Sequence, residues 1–453
     1  MIEAQRLCEL NSAPEVAGRY VLYWMQQSQR ANCNPALEAA VAAADRLGLP
    51  VLVCFGLMDP LPRAQARHYA FMLEGLAETA RTLRQRGIGF VMRRGRPDEV
   101  ALQLAPDAAL VVCDHGYLRS QKAWRQSVAQ RAGRRVLRVE GDVVVPVALA
   151  SGKTEIGARS LRPKIEHLRE RFLVRLRARR PQVSAQRLRI PSALDPEEWP
   201  RLLRELKVEQ GIGAVSDLRG GYSHARHRLR HFVGASLGQY CAARALPGAP
   251  QVSGLSPYLH FGQISPVEIA MAVRDADAPE PDRSTFLEEL IVRRELAVNF
   301  VEYNPHYDRY ESLPQWAQRS LGKHAGDRRE YVYGREMLEA ACTHDPYWNA
   351  AMRQMRRCGY MHNHMRMYWG KKVLEWSPSP QEAYRVLLRL NNSYFIDGRD
   401  PSSFANVGWV FGLHDRPWPE RPVFGNVRYM NAAGLRRKTD IESYVRIWGG
   451  DRP

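Results

Sequence analysis

The sequence predicts two unlike halves: an α/β N-terminal domain on a doubly wound, Rossmann-like parallel sheet, and an all-α C-terminal domain. Three observations predict this. At 453 residues the chain is too long for one ordinary core. Its first third alternates short apolar runs with amphipathic stretches, the pattern of βαβ units. Beyond Leu218 strand periodicity vanishes, and apolar residues recur at spacings of three and four.

In chain order, VLYWM (Val21 to Met25) reads as a strand and is followed by the Ala-rich helical stretch PALEAAVAAADRLG. LPVLVCFGL, a helix from about Arg67 to Gln85, GIGFVMRRG, a short helix over Pro97 to Leu104, and AALVVCDHG come next. Strand ends such as Cys113–Asp114–His115–Gly116 lie where sheets of this kind bind ligands. No GxGxxG fingerprint occurs, which argues against a nicotinamide dinucleotide site. We divide the chain into an α/β domain (1–140), a connector rich in Pro, Arg and Ser that crosses the surface (141–218), and a helical domain (219–453). Asp345–Pro346 reads as a helix start, an N-cap acid followed by Pro at the first helical position.

Composition narrows the function classes. No apolar run approaches the ~20 residues of a membrane span, and MIEAQRLCEL lacks the form of a signal peptide. Seven scattered cysteines without a CxxC pair argue for a reducing cytoplasm. A formal charge of +18 favours a polyanionic partner such as nucleic acid. Arg-rich composition by itself yields such a charge too.

Four constellations carry chemistry. Ser253–Gly254–Leu255–Ser256 opens an apolar helix and suits a phosphate cradle, though any serine-capped helix looks the same. In FLEELIVRRE (Phe286 to Glu295) one carboxylate among apolar neighbours could be buried with a raised pKa; a solvated Glu/Arg face is the plainer alternative. Trp369 and Trp376 stand seven apart on one helix face, about 10 Å along the axis, and with Trp348 could pass an electron or simply fill a core. Arg366–Met367, Asn391–Asn392 and Asp397–Gly398–Arg399–Asp400–Pro401 could hydrogen-bond a polar heterocycle, or form a salt bridge beside a turn.

Taken together, SGLSPYLHFGQIS, THDPYWNAAMRQM, MHNHMRMYWGKKVLEW, LNNSYFIDGRDP and HDRPWPERPVFGNVRYMN closely resemble class II cyclobutane pyrimidine dimer photolyases of the photolyase/cryptochrome superfamily. The N-terminal YWMQQSQRANCNPAL is similar to the family's first strand and loop. The resemblance implies a helical domain that binds FAD, active fully reduced, and an α/β antenna domain in which some members hold a deazaflavin or a folate. Residues such as Cys33, Cys54 and Asp114 could line that antenna crevice. It implies light-driven repair of UV-damaged DNA by electron transfer to a flipped-out dimer, by a monomer in the cytoplasm, with no metal. Carried over by position, Tyr240, Ser253, Gly254, Leu255 and Ser256 would contact the phosphates and ribityl chain. Arg366 and Asp397, with Asp400 nearby, would pair beside the ring system, and Asn391 would face its reactive nitrogen. Glu289, held protonated by an apolar wall, and Met367 would touch the dimer, with Trp409 walling its pocket. Trp348, Trp369 and Trp376 would carry electrons from the surface to the flavin. Trp418, Arg428, Arg436, Arg437 and Lys438 would face DNA.

Departures are few. Val292 stands three residues after Glu289, where class I enzymes carry Trp, and SSFANVG (Ser402 to Gly408) differs from many class II members. Met367 stands where (6-4) photolyases have His. A cryptochrome-like sensor without repair is the alternative; such sensors usually append a tail, whereas this chain runs only a few residues past Trp448. A zinc protein built on Cys358, His362 and His364 would lack a fourth ligand at standard spacing, with the two histidines pointing apart on a helix.

Overall fold

A computed structural model describes residues 2–208, 212–248 and 251–450. Six strands form one sheet: β1 (Leu7–Glu9), β2 (Tyr20–Trp24), β3 (Val51–Leu57), β4 (Gly89–Arg94), β5 (Ala108–Asp114) and β6 (Val136–Val139). Their order is β1-β6-β5-β2-β3-β4, all parallel except the β1 edge. The order reverses between β2 and β5, which gives the doubly wound topology that the alternating pattern predicts. Along β2, Val21 and Tyr23 pack into the core on one face, while Tyr20, Leu22 and Trp24 pack into that on the other. Both faces are covered, so the strand reads as a continuous apolar run. The short strands β1, three residues ending at Glu9, and β6, four residues containing Arg138, carry no apolar run, so the alternating pattern does not announce them.

Local chemistry places the helices. Helix Pro35–Leu47 begins where the Asn34 side chain accepts from Leu37 N and Pro35 occupies the first turn. It stops at Gly48, whose φ of +66° suits a residue without Cβ. Helix Pro346–Cys358 starts as its sequence indicates, with Asp345 accepting from Tyr347 N and Trp348 N. Beyond Leu218 the described residues are helices and loops, with one isolated bridge between Arg421 and Gly425.

The stretch assigned to a surface connector is more integrated than that. Val144, Val145, Leu161, Ile165 and Phe172 sit in a core shared with Phe71 of the α/β half and with Tyr258, Ile291 and Leu296 of the helical half. Buried arginines stitch the halves together. Arg30 pairs with Asp142 at 2.7 Å and donates to Gly262 O at 2.8 Å, and Arg67 donates to Met355 O at 3.2 Å and Tyr394 O at 3.0 Å. Each such cation satisfies several carbonyls at once, which offsets its desolvation.

At the strand ends the Asp114 carboxylate is satisfied by protein groups. The buried Asp114 carboxylate accepts from Gln26 N and Gln27 N, both at 2.8 Å, Ser28 N at 3.0 Å and Tyr23 OH at 2.8 Å. Cys54 is fully buried. Of the three residues expected to line an antenna crevice, Cys33 lines a cavity of about 970 Å³.

Candidate functional site

A cavity of about 720 Å³ opens in the helical half, a size suited to a large cofactor. Its walls come from the loop around Ser253, the helical turn Glu288–Arg293, and the helices Asn363–Trp376, Pro380–Tyr394 and Pro401–Val410. Tyr240, Ser253, Gly254, Leu255 and Ser256 line one end. Gly254 has φ +61°, and a Cβ there would sit 2.6 Å from Arg228 Nη1. The left-handed φ favours glycine here, and the Arg228 guanidinium beside it suits an anionic ligand. The Tyr240 ring is held edge-on by Phe286 at 5.3 Å and Phe232 at 5.7 Å.

On the facing wall Arg366 Nη2 lies 3.4 Å from both carboxylate oxygens of Asp397, while its Nε donates to Met361 O at 3.0 Å. Its guanidinium stacks 3.8 Å from the Phe395 ring centroid. Contacts of 3.4 Å are long for a charge-assisted pair, so both groups keep hydrogen-bonding capacity for a ligand. Asp397 reaches the adjoining recess of about 220 Å³, which Arg366 also lines. Asp400 lines that recess too, but its carboxylate caps helix Pro401–Val410 through Ser402 N at 2.8 Å, near His260 Nδ1 at 3.5 Å. The Asn391 amide donates to Asn392 Oδ1 at 3.0 Å, and that oxygen also accepts from Arg399 N at 3.0 Å, fixing the side chain at the cavity wall.

Glu289 corrects one expectation. Its carboxylate is 37% exposed and ion-paired with Arg244 Nη1 at 2.5 Å, not enclosed by an apolar wall. The helix widens to π geometry over Glu288–Arg293, and Glu289, Leu290 and Arg293 line the cavity from there. The buried carboxyl with a raised pKa in this stretch is Glu295. It accepts from Val144 N at 2.5 Å and Val145 N at 3.3 Å, and burial pushes it up to about 8. Its place is the junction between the halves. Met367 and Trp409 line the cavity.

The three tryptophans form one stack. Trp369 lines the cavity and lies 6.3 Å from Trp348 with the rings nearly parallel; Trp348 lies 5.7 Å from Trp376, edge-on. Trp348 Nε1 donates to Trp369 O at 3.0 Å. Trp376 does not reach the surface: it is 3% exposed, beneath Tyr333 and His344 at 5.4 and 5.1 Å.

The cavity rim is cationic. Arg428 lines it, stacks 4.3 Å from the Trp418 ring and pairs with Asp415 Oδ2 at 3.1 Å. Arg436, Arg437 and Lys438 are exposed on helix Ala432–Lys438. His362 is the N-cap residue of helix Asn363–Trp376 and not part of it, and both it and His364 line the same cavity. His362 Nδ1 is the N-cap acceptor for His364 N at 3.2 Å. Sequence reasoning missed Arg228, Arg244 and Lys371, since an arginine or lysine among 66 basic residues carries no positional signal.

The residues fit a flavin. Trp369 Nε1, His362 Nε2 and His414 Nε2 are buried in the cavity lining without hydrogen-bond partners. Burial holds both imidazoles down to about 4, so they face a ligand neutral. A polar ring system would satisfy such groups, which are otherwise costly to bury.

Among the described residues no helix is long and apolar enough to cross a membrane. The DNA photolyase family model matches residues 21–184. The chain is 46% identical to the deoxyribodipyrimidine photo-lyase of Methanothermobacter thermautotrophicus, covering 99% of each chain. It is 38% identical to that of Arabidopsis thaliana, over 94% of this chain and 88% of the relative. Among solved structures, a class III photolyase from Agrobacterium tumefaciens shares the fold at TM-score 0.74 and 22% identity, over 96% of this chain and 88% of that one. A Synechocystis cryptochrome does so at TM-score 0.75 and 17% identity, over 96% and 89%. With that fold, that cavity and near-half identity along its whole length, the chain belongs to the DNA photolyase family of flavin-dependent DNA-repair enzymes.

Proposed function

We propose that this protein splits cyclobutane pyrimidine dimers in DNA under blue or near-UV light, with FAD as its cofactor, in the manner of the class II enzymes it resembles. One observation carries the reading: a single cavity joins the Arg366 wall and Asn391 to Glu289, Met367 and Trp409, with the tryptophan stack behind. Bound and fully reduced, FAD supplies the photoexcited electron donor.

The chain's own residues supply the rest. Ser253, Ser256 and Tyr240 hold the phosphate and ribityl part, and Gly254 lets backbone approach it. Arg366 and Asp397 orient the ring edge through donors and acceptors that their long mutual contact leaves free, while Asn391 presents its amide. Met367 and Trp409 form an apolar wall that receives a flipped dimer and excludes water. A dimer stacks and pairs poorly, so its extrusion costs less than that of an intact pair. Glu289 hydrogen-bonds the dimer carbonyls where negative charge develops. Because Arg244 holds its carboxylate in this structure, substrate binding must exchange that partner. The Trp369–Trp348–Trp376 stack would relay an electron from an external reductant toward the cavity, and the cationic rim supplies sequence-independent DNA affinity to the monomer. For an antenna chromophore, a deazaflavin or a folate, the support is confined to the cavity of about 970 Å³ that Cys33 lines with Tyr222 and Arg226.

The deciding experiment compares a thymine-dimer oligonucleotide before and after blue illumination of reduced protein, with a dark control and Glu289→Ala. Light-dependent restoration of thymines, at least ~10-fold slower in the variant as expected for loss of one charge-stabilising group, supports the assignment. Flavin-loaded protein that leaves the dimer intact would move a sensor role to the front.

A further inference from the structure

Lys371 is 0% exposed, on the helix that carries Arg366 and Met367. A buried ammonium is costly, and packing alone would be met as well by an apolar side chain of the same length. Its Nζ donates to Val410 O at 2.5 Å, the carbonyl that ends helix Pro401–Val410. The same Nζ lies 4.8 Å from the centroid of the Trp409 ring. Arg428 Cζ lies 5.4 Å from that indole and 4.3 Å from the Trp418 ring, and Arg416 Cζ lies 5.6 Å from the Trp418 ring. Cations and indoles thus alternate from the interior to the surface: Lys371, Trp409, Arg428, Trp418, Arg416. Asp415 braces the ladder with one carboxylate, Oδ2 on Arg428 Nε at 3.1 Å and Oδ1 on Trp418 Nε1 at 3.4 Å, and its side chain is 9% exposed. Burial pushes the Lys371 amine down to about 7; Asp415 opposes that and Arg428 adds to it.

We propose that Lys371 is a positioning residue for lesion capture, holding Trp409 in place as the pocket wall and joining it through Arg428 and Asp415 to the surface indole Trp418. The inference rests on the repair reading above. Lys371 touches neither lesion nor cofactor in this account; it acts through Trp409. A wall fixed from beneath is pre-organised for a dimer and loses less freedom on binding. The buried charge is what distinguishes this from packing, because a cation held against an indole face sets the ring's orientation.

The test is run at about pH 6, below the Lys371 value of about 7 so that the amine carries its proton, with the full-length, reduced, FAD-loaded protein and two oligonucleotides of one sequence, one of them carrying a thymine dimer. Lys371→Met keeps length and volume and removes the charge. The expected result is a Kd and KM for the dimer oligonucleotide raised about thirtyfold, the size of a desolvated cation–π contact. Affinity for the undamaged oligonucleotide, flavin content and kcat stay as in the wild type. In a Trp409→Phe background, Lys371→Met adds nothing further to the loss of dimer affinity. Unchanged dimer preference in Lys371→Met, or effects of the two substitutions that simply add, overturns the proposal. Should Lys371→Met lose its flavin, Asp415→Asn probes the other end of the ladder, where the same selective loss is expected and unchanged dimer affinity overturns it. A wild-type protein that binds both oligonucleotides equally overturns the repair reading and this inference together, whereas retained preference in the variants overturns the inference alone.

Discussion

Trp348 is 0% exposed and does not line the cavity, yet it touches both other tryptophans of the stack. Its removal interrupts a path without altering the cavity wall. Trp348→Phe is therefore expected to abolish light-driven reduction of the bound flavin, while chemically reduced protein still repairs at the wild-type rate. Flavin absorbance followed under illumination with an external reductant checks the first part; photoreduction at the normal rate would remove the stack from the mechanism. Glu289 teaches a different lesson at this scale. The carboxylate that the family resemblance places against an apolar wall is instead claimed by Arg244, forty-five positions earlier in the chain. Nothing local in the sequence pairs these two residues.

At the scale of elements, the junction between the halves depends on Glu295, set on helix Arg294–Tyr303 and reaching the backbone N–H groups of Val144 and Val145. Burial raises its pKa to about 8 from 4.5. Between those values the folded protein holds a proton that the unfolded chain releases, so folding binds protons there. The stability this group contributes is complete below about 4.5 and is lost as pH rises through about 8, at about 1.4 kcal/mol per pH unit at most. Thermal unfolding of wild type and Glu295→Gln across pH 5 to 9 checks this. The wild-type Tm should fall relative to that of the variant as pH rises, and parallel profiles would contradict it. The helical turn Glu288–Arg293 belongs to the same scale. Its π geometry turns Glu289 and Arg293 toward the cavity while Ile291 and Val292 stay in the core. An i, i+4 reading of the sequence does not anticipate that shift of register.

For the whole molecule, the net charge of +18 becomes functional through its distribution. Arg437 and Lys438 are exposed at the end of helix Ala432–Lys438, and the pKa of the rim residue His364 is lowered by burial first and by the Lys438 charge second. Replacing both by alanine is expected to weaken binding to damaged and undamaged DNA alike, and to reduce the slope of log K against log salt by about two. Titration at several salt concentrations measures the slope, and an unchanged slope would take helix Ala432–Lys438 off the DNA face. The doubly wound sheet and the helical half are legible in the chain alone, because short continuous apolar runs and period-3.6 patterns are local properties of the sequence. It also determined the family and most cavity residues, because their motifs lie in contiguous segments such as Ser253 to Gly262 and Asn391 to Pro401. The tertiary structure decided what depends on partners distant in sequence: Arg244 on Glu289, the protein groups that satisfy Asp114 at the strand ends, Tyr333 and His344 over Trp376, and Lys371 beneath Trp409. Charge pairing and desolvation are set by what the fold brings within a few ångströms, and a linear pattern holds no record of that distance.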